Sequence, residues 1–242
     1  MGRVAIVAAL PRELLGFAKE SHAGKPIQAD GLWRAETPRV VLATAGMGAE
    51  RVTLAVQSAL ASGDIDLLVS AGLAGSCEAR LAPGLVAEAT EVVDTRTGER
   101  YGTDAPAGAL YAPGNGTRKE LPSVVLATGS EIATVSEKGR LFQAYSASLV
   151  DMEAATVARL ARANGIRFRA IKGISDGPEF ELGGLGKFTG KHGEFLTARF
   201  ALHTALRPAT WGKAMALGKA SNLALRGLRS VLHQLLAEES AR

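Results

Sequence analysis

A single cysteine, Cys77, stands in the 242 residues, so no disulfide can form within the chain and a reducing, cytoplasmic setting is expected. It follows Gly75-Ser76 in a small-residue turn, where a buried thiol is the simpler reading than a nucleophile. Aromatics make up only 5% of the chain while 28 glycines and many alanines are present, so close packing of elements is expected. No uncharged apolar run reaches the ~18 residues of a membrane span, and the N-terminal MGRVAIVAAL lacks a signal-peptide cleavage pattern. The formal charge of +4 is small, and its cations are scattered without interleaved aromatics until the last third, which argues against nucleic acid as a partner. The four histidines, His22, His192, His203 and His233, have no metal-ligand spacing. "GGLGKFTGKHG" is rich in Gly and Lys, but only three residues separate Gly186 from Gly190-Lys191 and His192 follows, so it fails the Walker pattern and reads as a flexible loop over the site.

What is present is an alternation of short apolar runs with helical patterns. Residues 3–9 read as a buried strand, and Pro11-Arg12-Glu13 then opens a helix. Residues 32–36 and 39–44 read as a strand pair, 49–61 as a helix, and 66–71 as a buried strand ending in Gly72-Leu73-Ala74-Gly75. A long strand over 84–94, loop over 95–121, a strand over 124–128 and a short helix over 137–145 follow. Residues 147–150 read as a short strand. Ala154, Val157, Ala158, Leu160 and Ala161 form one helical face, Asn164-Gly165 ends it, and 168–174 is a buried strand. The expected fold is a three-layer α-β-α domain with a central mixed sheet. A domain over 1–207 is expected, with a basic helical extension over 208–242 beginning at Arg207-Pro208.

In such folds ligands bind beyond the carboxyl ends of the strands. Glu13, Gly72 and Asp176 fall at such ends, and Glu153 opens a helix just after one. Each has a bland reading. Glu13 and Glu153 fit first-turn acids answering a helix dipole, and Asp176-Gly177 fits a turn. Three acids at strand exits are harder to dismiss together than singly.

These residues resemble a known family. Val150-x-Met152-Glu153-x-Ala155, followed by Ile174-Ser175-Asp176, is similar to the signature of the purine nucleoside phosphorylase and nucleosidase superfamily. The nearest shapes are the 5′-methylthioadenosine/S-adenosylhomocysteine nucleosidases and the hopanoid-associated phosphorylases. "IVAALPREL", "TAGMGAERV" and "SAGLAGSCEARLAPGLV" resemble the family's first strand and its glycine turns, and the resemblance covers about residues 3–206.

The resemblance implies cleavage of the N-glycosidic bond of a purine nucleoside, adenosine-like and modified at the 5′ position. Asp176, beside Ser175, matches the acid that protonates purine N7, so that the base leaves neutral. Glu153 matches the acid on the ribose hydroxyls, Met152 the residue packed on the ribose, and Glu13 the carboxylate that positions the attacking water. Ile132 aligns with the aromatic that nucleosidases stack on adenine, and Gly72 offers backbone N–H groups at the substrate. No metal or organic cofactor is implied; inorganic phosphate would be a co-substrate only of a phosphorylase. A homo-oligomer is expected.

This chain departs from its relatives at the third glycine turn. Leu73 stands where many members have a Ser, and Ser70 where hexameric phosphorylases have a phosphate-binding Arg. Hydrolysis is therefore favoured. Phosphorolysis through Arg12, Arg51 or Arg80 is the alternative, including the hopanoid-associated type, and a non-catalytic nucleoside-binding protein is the second. In the tail, Leu225, Leu228, Leu232 and Leu235 form a stripe flanked by Lys213, Lys219, Arg226 and Arg229. It reads as a helix packed on the body or on another subunit, or as a basic helix making a peripheral membrane contact.

Overall fold

The computed structural model describes residues 2–113, 117–181, 190 and 211–241. The Gly- and Lys-rich segment over 183–193 lies outside them apart from Gly190, as do His192 and His203.

Among the described residues, fourteen strands form one mixed sheet, with helices on both faces. Its parallel heart is β1 (Arg3–Ala8), β4 (Val40–Thr44), β5 (Ile65–Ser70) and β14 (Arg167–Asp176). Side chains alternate along β1, as a strand's period of two requires. Ala5 and Val7 enter a core under α2 (Ala49–Leu60) and α4 (Ala154–Ala163), while Val4 and Ile6 face α1 (Pro11–Glu20) and α5 (Trp211–Ser240). A smaller cluster beneath α3 (Val135–Tyr145) joins Leu141 to Ala127, Val150 and Cys77.

Strand β14 changes partners along its length. Residues Arg167 to Ala170 pair with β5, and Gly173 to Asp176 pair with β6 (Leu73–Ser76), across a register shift before Asp176. Its other edge takes β7 (Val86–Ala89) antiparallel. The expected single strand over 84–94 is thus two, β7 and β8 (Glu91–Asp94), broken at Thr90, whose N–H donates to the Val124 carbonyl. The glycine turn after β5 is itself largely strand β6, antiparallel to β13 (Leu149–Asp151). The expected loop over 95–121 contains β9 (Arg100–Gly102), β10 (Gly108–Tyr111) and β11 (Arg118–Leu121). These strands are short, and three of the four residues of β11 are exposed. Their order comes from pairing with β8, β7 and one another, which no local pattern encodes. Strand β2 (Ile27–Ala29), fully exposed on the sheet edge, was equally silent in sequence. Strands β3 (Leu32–Glu36) and β12 (Val125–Thr128) match the expected runs closely.

In the tail, Trp211–Ser240 form one helix. Leu228, Leu232 and Leu235 are buried with Val231, and Leu225 packs beside them, so the leucine stripe covers the protein's own core. Burying each such side chain contributes about 1.5–3 kcal/mol. Close approach is made by small residues. A Cβ on Gly173 would come within 3.0 Å of Ala224, and one on Gly227 within 3.0 Å of Val86. Among the described residues no helix is long and apolar enough to cross a membrane.

Candidate active site

The carboxyl ends of β1, β5, β13 and β14 open into a cleft of about 410 Å³, a size usual for small-ligand sites. Glu13, Ile132, Met152, Glu153, Ser175 and Asp176 all line it. Gly72 lies beside it, between Ala71 and Leu73 of the lining.

The acids flanking Met152 have separate roles. Asp151 is the helix-start acid: its Oδ2 accepts from the Ala154 N–H at 3.0 Å and its Oδ1 from Thr128 Oγ1 at 2.7 Å. Glu153 makes no such capping bond to α4. Its Oε1 instead accepts the Gly48 N–H at 2.7 Å, from the glycine turn before α2. Burial, reinforced by the Asp151 carboxylate and opposed by Lys172 and the Gly48 N–H, pushes Glu153 up to about 7.

That shift has a stability consequence. The group is raised from 4.5 unfolded to about 7 folded, so its contribution is fully present below pH 4.5 and is lost as pH rises through about 7. Glu153→Gln, which cannot ionise, is expected to lose less melting temperature than the wild type between pH 4.5 and 8. Thermal melts at the two pH values check this; parallel losses would mean that Glu153 is not neutral in the fold.

Glu13 combines the bland and the functional position. One oxygen accepts the Leu10 N–H at 2.8 Å, closing the first turn of α1, and the other accepts the Leu73 N–H at 3.0 Å across the cleft floor. Gly72 makes this contact feasible. Its φ is +111°, and a Cβ there would stand 3.0 Å from Glu13 Oε1. Gly75 does the same for Asp176, where a Cβ would lie 3.0 Å from Oδ2.

Asp176 is the last residue of β14 and is 2% exposed. Its Oδ1 accepts from Ser175 Oγ, and its Oδ2 pairs with Lys138 Nζ. The same ammonium donates to the carbonyls of Gly177 at 2.8 Å and Phe180 at 3.1 Å. The resemblance pointed to Asp176 as the acid but gave no sign of its partner Lys138. The signal available was its place three residues before Leu141, on the one buried face of α3.

A second missed cation is Lys172, in the buried β14. It meets Asp151 at 2.9 Å, Ser70 Oγ at 3.0 Å and the Ala71 carbonyl at 2.9 Å. A lysine inside an apolar strand is almost never buried unpaired, and that was its legible sign.

Of the arginines considered for phosphate, Arg51 donates to the carbonyls of Ala45 and Asp30, and Arg80 pairs with Glu78. Arg12 lines the cleft. Cys77 is buried, which pushes its thiol up to about 12 and suits packing rather than nucleophilic attack. Among the described residues no group of three or more His, Cys, Asp or Glu side chains is placed to hold a metal ion.

The cleft lies at the carboxyl ends of the strands of a three-layer α/β fold, where such folds bind small ligands. The chain belongs to the phosphorylase superfamily, whose family model matches residues 3–198. No curated protein sequence gives a significant match.

Solved structures are similar in fold. A Helicobacter pylori 5′-methylthioadenosine nucleosidase mutant, with 5′-methylthioadenosine in its active site, superposes with a TM-score of 0.62 at 17% identity, over 97% of this chain and 99% of that one. A Chlamydia trachomatis nucleosidase mutant gives 0.61 at 16% identity, over 98% and 99%. A futalosine hydrolase mutant of Helicobacter pylori gives 0.58 at 21%, over 77% and 93%.

Proposed function

We propose that the protein hydrolyses the N-glycosidic bond of a purine nucleoside, adenosine-like and modified at the 5′ position. The observation that carries this reading is the convergence of Asp176, Glu153 and Glu13 on one cleft, with Glu13 bonded to the Leu73 N–H. The purine lies along Ile132 and within reach of Asp176. Asp176, ion-paired with Lys138 at rest, takes up a proton from solvent as the nucleoside binds; the C1′–N9 bond then breaks, its electron pair passes to the base, and N7 takes that proton, so that the base leaves neutral. Lys138 then neutralises the carboxylate left behind. Glu153 holds the ribose hydroxyls, with Met152 against the sugar, and steadies the developing positive charge. Water attacks C1′ and gives its proton to Glu13. No metal or organic cofactor enters these steps.

Water is favoured over phosphate for a local reason. A phosphate dianion needs free donors. The Leu73 N–H is already committed to Glu13, and the Lys172 ammonium, which stands against Ser70, is compensated by Asp151. Burying a dianion beside the Glu13 carboxylate would be costly.

Phosphorolysis, including the hopanoid-associated type, is the second reading, and Arg12 on the cleft wall favours it. The test incubates the protein with methylthioadenosine, adenosylhomocysteine, inosine and adenosylhopane, with and without phosphate. Free sugar is expected, with little dependence on phosphate, and Glu13→Gln should lose hydrolysis by about 10²-fold. Phosphate-accelerated turnover yielding ribose 1-phosphate would sink the hydrolase reading. Tight nucleoside binding without any turnover would favour a binding protein instead.

A further inference from the structure

Beyond Glu13 the cleft continues into a groove of about 660 Å³ between α1 and α5. Its chemistry changes there. The α5 wall of the cleft is small and apolar at Ala214, Leu217 and Gly218. One turn further along, Asn222 and Leu225 belong to both spaces, and the groove is then lined by Arg12, Lys219, Arg226 and Arg229. Lys219, Asn222, Arg226 and Arg229 follow one another at three- and four-residue steps, which puts them on one helix face. Among the described residues, Glu13 is the one carboxylate in the lining. Outside it, Glu20 meets Arg229 at 3.3 Å, and room for that arginine is made by Gly16, where a Cβ would fall 2.7 Å from its Nη1. Lys219 and Arg226 are exposed.

Building on the proposed nucleosidase reading, we propose that this groove binds an anionic group, a carboxylate or phosphate, carried by the substrate's 5′ substituent. The class of substrate is then a nucleoside whose 5′ side has a short apolar stem ending in negative charge. The stem lies along Ala214 and Leu217, and the anion meets the arginine and lysine donors, for which carboxylate and phosphate are the matching acceptors. Lys219, Arg226 and Arg229 line the groove and not the cleft, so they suit a tail better than a nucleophile. A cation-lined cleft also raises the local concentration of such a substrate and does so less at high salt.

The test compares 5′-deoxy-5′-(2-carboxyethylthio)adenosine with uncharged 5′-methylthioadenosine. Affinity is read by calorimetry with initial titration points, and released base is assayed alongside. The wild type is expected to bind the carboxylate compound about tenfold or more tightly than the neutral one, less so in 0.5 M salt (roughly a 4 Å screening length). The Lys219→Glu, Arg226→Glu double variant, altered only at exposed side chains and checked by thermal melting, is expected to lose or invert that ratio. Equal affinities in the wild type, or an unchanged ratio in the variant, would overturn the groove as an anion site whether or not base is released. Absent base release with the affinity ratio intact would instead remove the nucleosidase reading and keep the anion site. Inorganic phosphate serves as the remaining arm: if it competes with the carboxylate compound and ribose 1-phosphate forms, the groove holds the free anion as nucleophile and the tail assignment is wrong.

Discussion

Asp176→Asn is expected to lower turnover by about 10²-fold or more while changing nucleoside affinity much less. The substitution keeps the shape and a hydrogen bond to N7 but removes the transferable proton, and a departing purine anion is a poor leaving group. The structure adds a complication that sequence could not supply. Asp176 neutralises Lys138, both side chains being about 1% exposed, so the Asn variant leaves a buried ammonium without its counter-ion. Removing one partner of a buried pair costs about 3–5 kcal/mol. The activity must therefore be measured per folded molecule. The Asp176→Asn, Lys138→Met double variant separates the two effects: stability should largely return and turnover should not. Retained activity in either variant would remove Asp176 as the acid.

Lys138→Met carries the second large effect. It strands the Asp176 carboxylate beside an apolar side chain and leaves the Gly177 and Phe180 carbonyls without their ammonium donor. A loss of about 3–5 kcal/mol is expected, which for a chain of this size lowers the melting temperature by roughly 10 °C. Turnover should fall as well, because the carboxylate formed on proton transfer would no longer be neutralised. An unchanged melting temperature would show that Asp176 does not depend on this pair.

The acids of the site were legible because each stands where an apolar run stops, and strand ends can be counted from the sequence. Their partners were not. Lys138 sits in Ser136-Glu137-Lys138-Gly139-Arg140, a string that reads as a solvated helix face, and only its register with Leu141 marks it as buried. Asp151 and Glu153 flank one methionine, and nothing local says which of them caps the helix and which turns to Gly48. That division is made by Thr128 and Lys172, which arrive from two other strands. The basic tail was legible as a helix with a leucine stripe. Which face of it borders the cleft depends on Gly173 and Gly227 admitting α5 close to the sheet. Strands β9 to β11 escaped notice for the same reason: long-range pairing orders residues whose own pattern is polar and brief.

Gly72 and Gly75 open β6 as two notches, one filled by Glu13 and the other by Asp176. In extended chain their separation is roughly 10 Å, three residues at about 3.3 Å each. The group assigned to water and the group assigned to the base are thus indexed to one short piece of backbone, as two jaws are to one spindle. Under the proposed roles, a change of nucleophile acts at the Gly72 end, and the base is held at the Gly75 end. The two halves of the reaction are in this sense separately replaceable parts on a common gauge.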